Sequence, residues 1–80
     1  MDKTRTFNVL ELREELILMM LNEIIEALEF KGYNPIKQIV GYLITGDIKY
    51  ITSFNNSRKK IANYDRSEIL LIVLNKYFGK

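Results

Sequence analysis

The segment Lys31–Asp47, KGYNPIKQIVGYLITGD, holds a helix stop, a helix start, an apolar face and a second stop. Gly32 suits the left-handed conformation that ends a helix. Asn34 can cap the next helix through its side-chain oxygen, and Pro35 fits the first helical position, where its missing N–H would have no partner anyway. Two helices therefore meet at a short corner. Ile36, Ile39, Val40, Leu43 and Ile44 recur at helical spacing, on one side of a helix ending near Gly46, and that side is expected to face the core. Gly41 lies inside this pattern at a cost of about 1 kcal/mol relative to alanine. Its presence predicts close approach of a neighbouring helix, with Thr45 one turn further along. Gly41 and Gly46 also have the spacing of a phosphate-binding loop, but Asp47 stands where that motif needs lysine, which excludes it.

Towards the N-terminus, Asn8 followed by Glu11 has the form of a capping box, so a helix should begin there. Leu12 to Phe30 contains no Gly or Pro, and Leu12, Leu16, Met19 or Met20, Ile24 and Leu28 form a stripe of helical period. The run Leu16–Leu21 is apolar without interruption, so it points all round the helix axis and needs burial on more than one side. A chain this short offers little of itself to do that, which predicts a second copy as the cover. The preceding residues 1–7 mix charges and hydroxyls around a single large apolar residue, Phe7, and read as a mobile tail.

Towards the C-terminus, Gly46 and Asp47 make a turn, and Ile48–Thr52 reads equally as an extended segment or a helical turn. Asn55 or Asn56 can cap a short helix through Arg58, Lys59, Lys60 and Ile61 to about Tyr64. Asp65 and Glu68 repeat the capping-box spacing before a last helix. That helix carries Ile69–Leu74, a second unbroken apolar run, and so repeats the argument for a paired chain.

The 80 residues make one small domain, 48% hydrophobic, with no cysteine and no histidine. No disulfide or thiolate metal site can supplement the core, and the usual general base and commonest metal ligand are absent, which argues against an enzyme. The carboxylates Glu14, Glu15, Glu23, Glu26 and Glu29 have no histidine at a di-metal spacing and read as a solvated face. No cofactor and no metal are expected. The apolar runs fall short of the ~20 residues needed to cross a bilayer, and the N-terminus lacks a secretory pattern, so a cytoplasmic location is expected.

The net charge of +2 is too small to imply nucleic acid by itself. The main basic feature is Arg58, Lys59 and Lys60, with Arg66 beyond. A short helix followed by another outlines a helix-turn-helix DNA reader, which is the competing functional reading. Guanidinium groups also pair with carboxylates or phosphate, so the same residues suit a protein partner. In the tail, a phosphate on Thr4 or Thr6 would add about −1.5 to −2 charge and turn a weakly basic segment acidic.

The central KGYNPIKQIVGYLITGD, with Tyr50 and Ile51 and then Arg58, Ile61, Arg66, Glu68 and Ile69, resembles the IreB family of small regulatory phosphoproteins of Gram-positive bacteria. The similarity spans Ala27 to Tyr77 and resumes at the DKT near the start. Lys37 and Ile48 replace an Asn and a Pro of the family pattern KGYNP-x-NQIVGYL-x-[ST]GDP-x-YI. Ser53 and Ala62 stand where arginines are usual, and Leu71 and Ile72 where glutamates are. The resemblance implies a non-enzymatic, all-helical homodimer phosphorylated near its N-terminus by a membrane serine/threonine kinase with cell-wall-binding repeats, and reversed by a phosphatase. It further implies a link to cell-envelope homeostasis and resistance to cell-wall antibiotics. In some members that link runs through Clp-type proteolysis of an early peptidoglycan-precursor enzyme, which makes the protease or its adaptor a partner. Thr4, following Asp2 and Lys3 as the family acceptor follows its acidic residue, is the first expected phosphoacceptor and Thr6 the second.

These readings converge on an all-α fold, a small domain of about four helices in residues 8–80 forming an intertwined homodimer. Leu16, Met20, Ile24, Ile39, Val40, Gly41, Leu43, Ile69, Leu70 and Val73 are its expected core and dimer residues. Arg58, Lys59, Lys60 and Arg66 are the expected partner contacts, with no membrane among the partners.

Overall fold

Helix α1 (Val9–Phe30) runs unbroken to the corner, and the computed structural model describes residues 9–79. The corner forms through the local chemistry of its residues. Gly32 takes φ 87°, its N–H reaches the Glu29 carbonyl at 3.0 Å, and the Tyr33 N–H reaches the Leu28 carbonyl at 2.9 Å. These bonds satisfy carbonyls that the helix end leaves free. Asn34 then accepts the Lys37 N–H through its side chain at 3.1 Å, and Pro35 opens helix α2 (Pro35–Thr45). Gly46 closes α2 at φ 76°, with its N–H 2.7 Å from the Tyr42 carbonyl.

The stretch that sequence left open, Ile48–Thr52, begins as a 3₁₀ turn over Ile48–Tyr50, capped by the Asp47 side chain, which accepts the Lys49 N–H at 2.9 Å. Its Tyr50 ring lies over Gly41. A methyl group at Gly41 would stand 2.5 Å from the ring, so the close approach expected there comes from this aromatic side chain and not from a neighbouring helix. Thr45 turns back on its own helix and donates to the Gly41 carbonyl at 2.7 Å.

A second 3₁₀ turn (Phe54–Asn56) leads into helix α3 (Ser57–Ala62), which stops short of Tyr64. Asn55 and Asn56 do not cap it as expected: both sit at positive φ, and neither side chain bonds to the helix start. Asparagine tolerates that left-handed backbone better than other non-glycine residues, and here that tolerance serves the chain reversal. The buried Ser57 hydroxyl instead closes the turn by donating to the Phe54 carbonyl at 2.7 Å. Helix α4 (Arg66–Phe78) follows Asp65, but the second capping box does not form. Asp65 makes no side-chain cap bond, and Glu68 is drawn away to Arg13 of α1. The first box, Asn8 with Glu11, lies partly outside the described residues.

Helix α3 runs back along α1. Phe54 stacks on Phe30 with ring centroids 4.9 Å apart, Lys60 meets Glu23 at 3.0 Å, and Arg13 lies over the Tyr64 ring at 5.1 Å. Ile17, Ile24 and Leu28 of α1, Ile51, Ile61 of α3 and Ile69 of α4 are fully buried, with Met20, Leu21, Ile39 and Tyr42 beside them. Burying each such aliphatic side chain is worth about 1.5–3 kcal/mol. Among the described residues there is no strand.

The core is narrower than the apolar pattern predicts. On α2 only Ile39, Tyr42 and Leu43 turn inward, whereas Ile36, Val40 and Ile44 are exposed, Ile44 by 74%. On α1 the buried stripe is Ile17, Met20, Leu21, Ile24 and Leu28, whereas Leu12, Leu16 and Met19 face outward. Leu70 and Val73 of α4 are exposed as well. The expected core residues Leu16, Val40, Leu70 and Val73 are therefore surface residues of the chain. A helix of this size covers one strip of its neighbour, and the remaining apolar side chains have nothing among the described residues left to pack against.

Candidate functional site

The basic residues expected to meet a partner are mostly engaged within the chain itself. Arg58, half-buried on α3, donates through Nε to the Ile51 carbonyl at 2.7 Å and so ties α3 to the end of the first 3₁₀ turn. Lys60 pairs with Glu23 of α1. Arg66 reaches over Gly46 and donates through Nη1 to the Leu43 carbonyl at 3.1 Å, satisfying a carbonyl in the last turn of α2. Lys59 is exposed. The geometry does not bring these cations together into the phosphate-facing array that a DNA reader uses. Thr4 and Thr6 lie outside the described residues.

A more localised charged arrangement joins α1 to α4, and the sequence did not point to it. The Arg13 guanidinium grips Glu68 with two bonds, Nε to Oε2 at 2.5 Å and Nη2 to Oε1 at 3.0 Å, while its carbon lies over the Tyr64 ring. This is the forked geometry that distinguishes arginine from lysine. The hydrogen bond from Arg13 holds the Glu68 carboxyl below its ordinary value of 4.5, against a smaller opposing effect of desolvation. A carboxylate with a lowered folded-state pKa stabilises the fold above its unfolded pKa and loses that contribution as pH falls through the folded value. Glu68→Gln is therefore expected to lower the urea midpoint near neutral pH, with the difference from wild type shrinking once pH falls below the ordinary carboxylate value and vanishing only below the lowered folded-state pKa. The pair is partly exposed, so added salt should reduce the difference as well.

The third element is apolar. Leu70, Leu71, Val73, Leu74, Tyr77 and Phe78 of α4 are all exposed, and only Ile69 of that helix is buried. Leu12, Leu16 and Met19 on α1 and Ile36, Val40 and Ile44 on α2 are exposed as well. Large exposed apolar patches on soluble proteins mark interaction surfaces, and the exposed side chains along α4 are of that character. No helix among the described residues is long and apolar enough to cross a membrane, and none of their Asp and Glu side chains cluster as metal ligands.

The described residues form a small all-helical domain with a tight KGYNP corner and a glycine seated under Tyr50. A family model described as IreB regulatory phosphoprotein matches residues 2–79. The chain belongs to the IreB family. The match takes in the tail threonines as well as the helical domain. In this IreB protein the family motif coincides with structural tasks: Gly32, Asn34 and Pro35 build the corner, Gly41 admits Tyr50, and Arg66 completes the end of α2. Arg13 went unnoticed in the sequence because it stands among Glu11, Glu14 and Glu15 and reads as one more charge on a solvated face.

Proposed function

We propose that this IreB protein is a non-enzymatic adaptor whose activity is switched by phosphorylation of its N-terminal tail, with Thr4 as the first acceptor and Thr6 the second. Family membership over residues 2–79, which include both threonines, carries the reading. The acting form is a homodimer, and the uncovered apolar side chains of α1, α2 and α4 support that assembly. A membrane serine/threonine kinase and its phosphatase set the tail's charge at the cytoplasmic side of the envelope. The adaptor then passes that state to the proteolysis of an enzyme of peptidoglycan-precursor synthesis, through a Clp-type protease or its adaptor, and so to cell-envelope homeostasis and resistance to cell-wall antibiotics. Lys59, exposed on α3, together with the outward parts of Arg58, Lys60 and Arg66, forms the partner contact.

The test is to incubate the protein with its native kinase and map the phosphate by mass spectrometry. Phosphate on Thr4, lost or moved to Thr6 in Thr4→Ala, is the expected result. Modification confined to residues beyond the first seven would overturn the assignment.

A further inference from the structure

The Arg13–Glu68 clasp sits at the end of the domain from which the tail departs. Arg13 is one helical turn inside α1, about 6 Å along the axis from Val9. Thr4 precedes Val9 by five residues, which at full extension span roughly 17 Å. Covalent reach therefore brings a phosphate on Thr4 or Thr6 to Arg13. Lys60, paired with Glu23, lies about 21 Å along α1 from Val9, and Arg58, two residues earlier in α3, lies nearer the Phe30 end. The basic run on α3 is thus poorly placed for a phosphate on the same chain.

We infer that Arg13 is the binding site for the phosphothreonine of its own tail, and that Glu68 occupies this site in the unphosphorylated chain. The Glu68 carboxylate presents two oxygens to Nε and Nη2, the same forked contact that a phosphomonoester makes with a guanidinium. A phosphate brings a charge of about −1.5 to −2 against −1 for the carboxylate, and its short tether gives it an effective concentration on the order of millimolar. The guanidinium is accessible, with 45% of its side chain exposed, and the Tyr64 ring beneath it keeps its plane in place when the partner changes. Glu11, Glu14 and Glu15 on α1 and Asp65 beside α4 oppose any anion here, so the exchange requires the doubly charged phosphate and is not expected of an acidic side chain in the tail. Released from Arg13, Glu68 would loosen the link between α1 and α4, the helix that carries most of the uncovered apolar surface. Phosphorylation would in this way reach the interaction face.

The inference rests on the tail-phosphorylation reading, so the test supplies the modification chemically. The full chain is assembled by ligation with phosphothreonine at position 4, and the phosphorus resonance is followed against pH. In wild type the second phosphate pKa, ordinarily about 6, should fall by about half a unit to one unit through the guanidinium. Arg13→Gln should restore the ordinary value, and Glu68→Gln, which frees Arg13, should deepen the fall. The Arg13 Nε–H resonance should move on phosphorylation in wild type. An unchanged phosphate pKa in Arg13→Gln, or a response that follows Arg66→Gln instead, would overturn the site. Failure of the kinase to modify Thr4 would count against the proposed function alone, because the phosphate here is not enzymatic.

Discussion

Ile24→Ala is expected to lower the stability of the domain by about 3–4 kcal/mol, the usual range for emptying a fully buried aliphatic site that cannot collapse. Ile24 is 0% exposed in the middle of α1, the helix against which the rest of the domain packs. Removing three carbons there leaves a cavity that backbone motion in any one neighbour cannot fill, because its lining comes from separate elements. Domains of this length have roughly 4–12 kcal/mol in all, so the variant should be partly unfolded at body temperature. Urea titrations at one fixed protein concentration would measure it, since association adds to apparent stability. A loss under about 1 kcal/mol would show that α1 is not the centre of the core.

The corner at Gly32–Pro35 was legible because its physics is local: a left-handed glycine, an asparagine cap and a proline at the first turn act within a few residues of one another. The inward face of α2 was only half legible. Periodicity identified Ile39 and Leu43 but also marked Ile36, Val40 and Ile44, and it passed over Tyr42, which is buried while its apolar neighbours are not. A wide apolar stripe does not say how much of its width a single neighbouring helix will cover. The failures at Asp65 and Glu68 have a different origin. The capping-box spacing is present, but Glu68 finds a guanidinium 55 residues away in sequence, and a charge-assisted pair outcompetes a backbone cap. For the same reason the predicted contact residues Arg58 and Arg66 became partly structural, each drawn to a backbone carbonyl that the fold leaves at a helix end or turn.

For the proposed homodimer, the joint substitution Leu70→Glu and Leu74→Glu is expected to give a monomer while leaving the helix content unchanged. Both side chains are 46% exposed in the protomer, so charges there cost the isolated chain little. Across a paired apolar face each would leave a carboxylate facing hydrocarbon, and at about 2 kcal/mol or more per interface residue the two together weaken association on the order of a thousandfold. Sedimentation or light scattering at micromolar concentration reads the change. A wild type already monomeric there would remove the dimer from the proposed function and leave the α4 face to another partner. The two experiments also separate the roles of the apolar residues. Ile24→Ala should reduce stability whatever the protein concentration, whereas the α4 variant should match wild type in dilute solution and fall behind it only where wild type pairs. That divergence would assign the unbroken run Ile69–Leu74 to two surfaces, Ile69 and the partly buried Ile72 to the fold and the exposed Leu70, Leu71, Val73 and Leu74 to the partner chain.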